Sequence, residues 1–170
     1  HPDRVARVLA LPELDQYQVV LHSAFKAAHT VSDNTAQRAV GQGLCDQDDV
    51  LLVDTLGHLD ALTGCADLVF VGGSLVPHGG HNPLEAAAWR LPILTGRNIF
   101  NFSGIYRDLI DMGAAIEVDG STLPAVLLSC LGKHADAAQM KAMGARAGEY
   151  QSAQRNVLER QWAVLTAHLP

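Results

Sequence analysis

The sequence predicts an α/β fold built on a parallel sheet, and three observations carry that expectation. Short apolar runs rich in β-branched residues recur along the chain, among them Val19-Val20-Leu21, Val50-Leu51-Leu52-Val53 and Leu68 to Val71. Between them lie segments with the apolar spacing of short helices. A glycine-rich turn then joins one of the strands to a helix that carries its own capping signal. Strands alternating with helices form parallel sheets, because a parallel neighbour needs a crossover connection.

The elements follow in order. Asp3 to about Leu11 reads as a short helix with Val5, Val8 and Leu9 on one face. Val19 to Leu21 is a strand. The stretch from Ala24 to Asp49 is mixed and polar and yields no clear element. Val50 to Val53 is a buried strand, and Gly57 turns into a helix through Leu59, Leu62 and Ala66. Leu68 to Val71 is the next strand and Pro83 to Trp89 the next helix. Pro92 to Thr95 is a strand, Ser103 caps a helix running to about Met112, and Ala114 to Val118 is the last strand. From Leu123 to His168 the pattern is helical, with breaks expected near Lys133 and Gln151. The sum is a single domain over residues 1–170, with a sheet of about five strands and a helical tail from about residue 121. The chain opens on His1-Pro2-Asp3-Arg4 without an initiator Met. It reads as cut from something longer, so the sheet is expected to look incomplete.

Composition narrows the function. The net charge is −6 and no basic run is present, which argues against nucleic acid as a partner. No apolar stretch reaches the roughly 18 residues of a membrane span, and no signal peptide is visible. The three cysteines, Cys45, Cys65 and Cys130, are widely spaced and fit a reducing compartment rather than a metal knuckle.

Ligands of open parallel sheets bind at the carboxyl ends of the strands, where the βα loops cluster. Three loops carry polar and glycine residues there: Asp54 to His58, Gly72 to Glu85, and Gly96 to Asn101. In the second, Gly72, Gly73, Gly79 and Gly80 let a backbone approach an anion closely, with Ser74 between the pairs. Asn82 caps the following helix, Pro83 suits its first position, and Glu85 sits in its first turn. Backbone N–H groups at such a helix start favour a phosphate. Glu85 admits two readings, a bidentate contact to ribose hydroxyls or the last residue of an Asn-x-x-Glu capping box, and the spacing leaves both open. His78 and His81 form an H-x-x-H pair without a third ligand, so they read as hydrogen-bonding residues of the loop rather than a zinc site. Asp54 and Thr55 either cap a helix or line the site. Phe100 and Phe102 read as aromatic anchors of their helix. No G-x-S-x-G elbow and no Asp-x-Asp metal motif is present.

The run Gly72-Gly73-Ser74-Leu75-Val76-Pro77-His78-Gly79-Gly80-His81-Asn82-Pro83-Leu84-Glu85 resembles the signature of the bacterial 3-deoxy-D-manno-octulosonic acid (Kdo) transferases. So do Asp54-Thr55-Leu56-Gly57 and Asn101-Phe102, and His1-Pro2-Asp3-Arg4 resembles the end of the family's Pro-Arg-His-Pro motif. The resemblance implies the C-terminal, donor-binding domain of a two-domain GT-B glycosyltransferase with a Rossmann-like sheet. It implies CMP-Kdo as donor, a lipid A precursor as acceptor and no cofactor or metal. The full-length protein would work in lipopolysaccharide biosynthesis at the cytoplasmic face of the inner membrane. CMP contacts carry over to Leu56, Gly57, His58, Asn82, Pro83, Leu84 and Glu85, with Gly72, Gly73, Ser74, Gly79 and Gly80 as the phosphate loop. The catalytic glutamate belongs to an N-terminal acceptor domain that this chain lacks, so the chain alone is expected to transfer nothing. Two departures stand out: His58 where the family usually has Glu, and Val53 where Gly is frequent. A UDP-sugar enzyme of the same architecture and a non-catalytic nucleotide-binding module are the alternatives.

Overall fold

A computed structural model describes residues 2–24 and 50–168. His1, Cys45 and nearly all of the mixed polar stretch lie outside the described residues. The chain divides into two compact units, residues 1–65 and 66–170.

In the first unit a 3-10 turn, Pro2–Arg4, leads into helix α1, Val5–Leu9. The helix stops short of Leu11 because Pro12 follows. The residue before a proline is pushed out of the helical region, and Leu11 is extended at φ −76°, ψ 121°. Strand β1, Val19–Leu21, pairs in parallel with β2, Val50–Leu52, with Val20 opposite Leu51. Both strands are half-buried. Helix α2 spans Leu59–Thr63.

The second unit is a βα series. Strand β3 is Val69–Val71, helix α3 Leu84–Ala88, strand β4 Ile93–Thr95, helix α4 Ser103–Asp111 and strand β5 Ala115–Glu117. Helix α5, Leu123–Leu131, and the long helix α6, Ala137–His168, complete it. The sheet runs β3-β4-β5, all parallel. Its central strand β4 is buried at every position, as expected where helices cover a parallel sheet. Ala86 and Ala87 of α3, Tyr106 and Leu109 of α4, and Ala147 of α6 pack with Ile93 and Ala115 as the core.

Several expectations need correction. The parallel strands are there, but they form two sheets, β1-β2 and β3-β4-β5, rather than one. Alternation of strands and helices sets parallel direction; it does not fix which strands are neighbours. Ser103 makes no side-chain cap; Phe102 occupies the N-cap position of α4. Phe102 packs against the core, whereas Phe100 is 63% exposed and anchors nothing. Helix α6 runs through Gln151 without a break. Its Gly148, which weakens a helix in isolation, serves close packing instead. No helix among the described residues is long and apolar enough to cross a membrane.

That packing is set at the end of α3. Leu91 N–H donates to Ala86 O and Arg90 N–H to Ala87 O. This is a Schellman closure with Arg90 in the left-handed position, φ 58°. Glycine is usual there. Here the exposed peptide and side chain of Arg90 meet the glycines of α6. A Cβ on Gly144 would lie 1.9 Å from Arg90 O, and one on Gly148 would lie 2.7 Å from Arg90 Cγ. Arg146, between them, donates from Nε and Nη2 to Gly113 O at 3.1 and 2.6 Å.

After β5, Asp119 organises the turn into α5. Its Oδ1 accepts from Ser121 Oγ at 2.6 Å, from Ser121 N–H at 2.9 Å and from Thr122 N–H at 2.9 Å. Arg97 bridges Glu117 and Asp119 at 3.4 and 3.3 Å. The Ser121 hydroxyl, then the two amides, hold the Asp119 carboxyl at about 2, below the ordinary 3.8.

Two predictions follow from these contacts. Gly144→Ala should lower the melting temperature, because overpacking costs about 1–3 kcal/mol and outweighs the gain of about 1 kcal/mol that alanine brings to a helix interior. Gly104→Ala in α4 meets nothing within 4 Å and should raise it; parallel melts of both variants test the pair, and a stabilised Gly144→Ala would refute the close packing. The second concerns acid. A carboxyl with a depressed folded-state pKa contributes stability above its unfolded value, and that contribution is lost as pH falls through the folded value. The melting difference between the native protein and Asp119→Asn should therefore hold steady above about pH 4 and shrink toward pH 2. A difference independent of pH would exclude this role.

Candidate functional site

The Gly72 to Pro83 segment is a closed loop. Gly80 N–H donates to Gly73 O at 3.0 Å and His81 N–H to Gly72 O at 3.1 Å. These bonds pinch the loop at the end of β3. Gly73, Gly79 and Gly80 all have positive φ, at 74°, 90° and 74°, which L side chains rarely adopt.

The loop after β4 holds it in place. Ser74 is fully buried. Its hydroxyl donates to Val71 O at 2.7 Å and accepts from Gly96 N–H at 2.8 Å. The Ser74 carbonyl accepts from Asn98 N–H at 2.9 Å and from Asn98 Nδ2 at 3.1 Å. Gly96 must be glycine, since a Cβ there would sit 2.3 Å from Ser74 O. Further along, Asn101 Nδ2 donates to His78 O at 2.9 Å and to Gly80 O at 3.4 Å, and Asn101 N–H donates to Gly79 O at 3.1 Å. The buried Tyr106 reaches from α4 to donate its hydroxyl to His81 O at 2.7 Å. Burial pushes the Tyr106 phenol pKa up.

These bonds sort the glycine-loop groups into spent and unspent. The Ser74 hydroxyl and the amides of Gly80 and His81 are spent within the protein. The Ser74 N–H makes no hydrogen bond among the described residues, and Ser74 is fully buried. A buried amide without a partner is rare in folded proteins. At the loop's end Asn82 Oδ1 accepts from Leu84 N–H at 3.1 Å, which makes Asn82 the side-chain cap. Pro83 has helical φ and ψ of −78° and −13° and occupies the first helical position, one residue before the assigned start of α3. Glu85 is exposed, and its carboxylate has no partner among the described residues. The reciprocal bond of a capping box, from Glu85 back to the Asn82 amide, is not formed. His78 and His81 are exposed, and their backbone groups, not their rings, make the loop's hydrogen bonds. No cluster among the described residues could hold a metal ion.

The Asp54 to His58 loop belongs to the first unit, at the carboxyl end of β2. Asp54 accepts through Oδ1 from Ser23 N–H at 2.8 Å and through Oδ2 from the Ser23 hydroxyl. It thus caps the helical turn that follows β1 rather than the helix after it. The Ser23 hydroxyl and amide lower its pKa. Thr55 Oγ1 lies 2.7 Å from His22 Nδ1, and the His22 and His58 rings stand 5.1 Å apart. Leu56 and Gly57 are exposed, and Gly57 has φ 82° with open space around it.

A groove of about 640 Å³ lies elsewhere, lined in part by Asp67, Leu91, Pro92, Leu131, Met140 and Lys141. Asp67 and Pro92 precede β3 and β4, so this groove sits at the amino ends of the strands. Its size does not make it the candidate site, because the glycine loop and the free Glu85 carboxylate lie at the carboxyl ends. Gly96, Asn98 and Tyr106 were the residues least visible beforehand. Gly96 and Asn98 stood within a recognised loop without assigned partners. Tyr106 signals itself only as an aromatic with a polar tip on the buried stripe of α4.

No family model matches the chain. It is similar to the 3-deoxy-D-manno-octulosonic acid transferase of Haemophilus influenzae, 36% identical over 71% of this chain and 25% of that protein. It is similar also to those of Bordetella pertussis, 43% identical over 48% of this chain and 19% of the relative, and of Chlamydophila psittaci, 30% identical over 73% and 28%. The chain thus spans about a quarter of the length of these relatives. The crystal structure of the C-terminal CMP-Kdo binding domain of WaaA from Acinetobacter baumannii matches at a TM-score of 0.66 and 27% identity, over 86% of this chain and 69% of that one. The fold, the glycine loop and these likenesses agree, and the chain belongs to the 3-deoxy-D-manno-octulosonic acid transferase family, where it corresponds to the C-terminal domain.

Proposed function

We propose that this chain supplies the CMP-binding half of a Kdo transferase, which moves Kdo from CMP-Kdo to a lipid A precursor. The observation that carries the reading is the glycine loop pinned by the loop after β4, with the exposed Glu85 carboxylate left without a partner at its end. A carboxylate in the first turn of α3 suits the two ribose hydroxyls. Asn82, Pro83 and Leu84 form the turn that presents it. Leu56, Gly57 and His58 enter the proposal by resemblance alone.

In transfer, the bond from the anomeric carbon of Kdo to the phosphate oxygen breaks, and negative charge grows on the departing CMP. The backbone dipoles of the pinned glycine loop need no reorganisation as that charge develops, which is how fixed dipoles lower a barrier. Gly72 and Gly73 let the phosphate approach, and Gly80 closes the loop beneath it. The group that takes the proton from the acceptor hydroxyl is not among these residues. By the family resemblance it is a glutamate of an N-terminal domain at the cytoplasmic face of the inner membrane. The purified chain should therefore bind CMP and transfer no Kdo.

The test is Glu85→Ala against Glu85→Gln, with CMP affinity by calorimetry and stability by melting. Loss of charge-assisted bonds to two hydroxyls should cost about 1.5–3 kcal/mol, one to two decades in affinity, in Glu85→Ala. Glu85→Gln should lose a large part of that as well. A capping role predicts the reverse: unchanged CMP affinity, a lower melting temperature for alanine and little effect for glutamine. Competition between CMP and UDP separates the CMP reading from a UDP-sugar enzyme.

A further inference from the structure

Resting on the CMP reading above, we infer that the His81 imidazole is a phosphate-binding side chain of the site: its Nε2 donates to the phosphate of the nucleotide beside Gly72 and Gly73. The glycines locate the ring. A Cβ on Gly73 would lie 3.3 Å from His81 Cδ2 and 3.4 Å from its Nε2, and one on Gly72 would lie 3.8 Å from Cδ2. The Cδ2–Nε2 edge of the imidazole thus runs along the first glycine pair. The backbone that carries the ring is fixed, because His81 N–H donates to Gly72 O and His81 O accepts from the Tyr106 hydroxyl. The ring itself makes no hydrogen bond or ion pair among the described residues.

Access selects this part of the loop. Gly79 and Gly80 are buried, and Asn101 and Tyr106 fill the space their side chains would take. Gly72 and Gly73 are half-buried and His81 is exposed. An anion therefore reaches the loop at the first pair, where glycine permits a close approach and the imidazole stands beside it. The guanidinium of the neighbouring loop, Arg97, is committed to Glu117 and Asp119. His81 also leads directly into the turn from Asn82 to Glu85. One segment thus carries a donor for the phosphate and a carboxylate for the ribose, the two polar ends of a nucleoside monophosphate. Protonated imidazole has donors only, and its bond to a phosphate oxygen is charge-assisted. In transfer the electron pair of the breaking C–O bond passes to the phosphate oxygen. His81 holds that charge and keeps its proton.

The experiment measures the affinities of CMP and of cytidine, which lacks the phosphate, for the native protein, His81→Phe and His81→Gln. Phenylalanine keeps a flat ring on the glycine pair and removes its nitrogens. Glutamine keeps a donor at about the reach of Nε2. His81→Phe should lose about tenfold or more in CMP affinity and stay within about twofold for cytidine, with His81→Gln between it and the native protein for CMP. A ring that only packs predicts an unchanged CMP to cytidine ratio in His81→Phe, and that result overturns the inference. The imidazole resonances of His81 in the 15N-labelled native protein, assigned by their loss in His81→Gln, give a second reading. They should shift with CMP and with inorganic phosphate and stay still with cytidine; an imidazole unmoved by saturating CMP also overturns the inference. Glu85→Ala separates the two levels. If it weakens CMP while His81→Phe leaves the ratio unchanged, only the role of His81 is lost. If the native protein binds no CMP, the nucleotide reading falls and takes this inference with it.

Discussion

The structure of the site depends on one constraint: a loop rich in glycine cannot hold its own shape. Each glycine widens the range of conformations the chain may take, so ordering such a loop costs more entropy than ordering an ordinary one. Here the cost is met from the neighbouring βα loop. Ser74 is wedged between Val71 O and Gly96 N–H, and Asn101 gathers the carbonyls of the loop's far end. Tyr106 holds His81 O from below. Because strands β3 and β4 pair directly, the two loops leave the sheet side by side, and the bonds between them follow from that adjacency. The shape of the loop is thus set by residues more than twenty positions away in sequence.

The same logic recurs on the other side of α3. That helix is only one turn and a half, Leu84–Ala88, and such a short helix has little stability of its own. It is held at its start by Asn82 and at its end by the Schellman closure at Arg90. The closure is then covered by Gly144 and Gly148 of α6. The long C-terminal helix thus presses on the segment whose first turn carries Glu85. The glycines of α6 are expensive by helix propensity and serve because nothing larger fits against Arg90 O.

Much of this was legible in the sequence. Strands of β-branched residues between helical segments give the parallel βα series, and the signature from Gly72 to Glu85 marks the loop and its family resemblance. Asn82 as cap and Pro83 as first helical residue follow from backbone chemistry that acts within four positions. What escaped was governed by distance. The capping of the turn at Ser23 by Asp54 joins residues 31 positions apart, and no local pattern reveals it. Ser103 has the chemistry of a cap but not the place, since the chain enters α4 through Phe102. The break expected near Gln151 is absent, and Gly148, just before it, lies against Arg90. The pairing of strands into two sheets is the same kind of fact, because hydrogen-bonding partners are chosen in three dimensions.

Ser74 illustrates how a structure can change the role of a residue without removing it from the site. The family resemblance places it in the phosphate loop without a role for its hydroxyl. The hydroxyl has both its donor and one acceptor site committed to backbone groups, in a fully buried residue. Its amide, which no local pattern singles out, makes no hydrogen bond among the described residues. Alanine at this position would keep that amide and strip the bonds that fix it. Serine is thus required for the shape of the loop, whose far end Asn101 holds in the same way. A site of this kind is specified less by the groups that would touch the nucleotide, which are largely backbone, than by the side chains that leave those groups nothing else to bind.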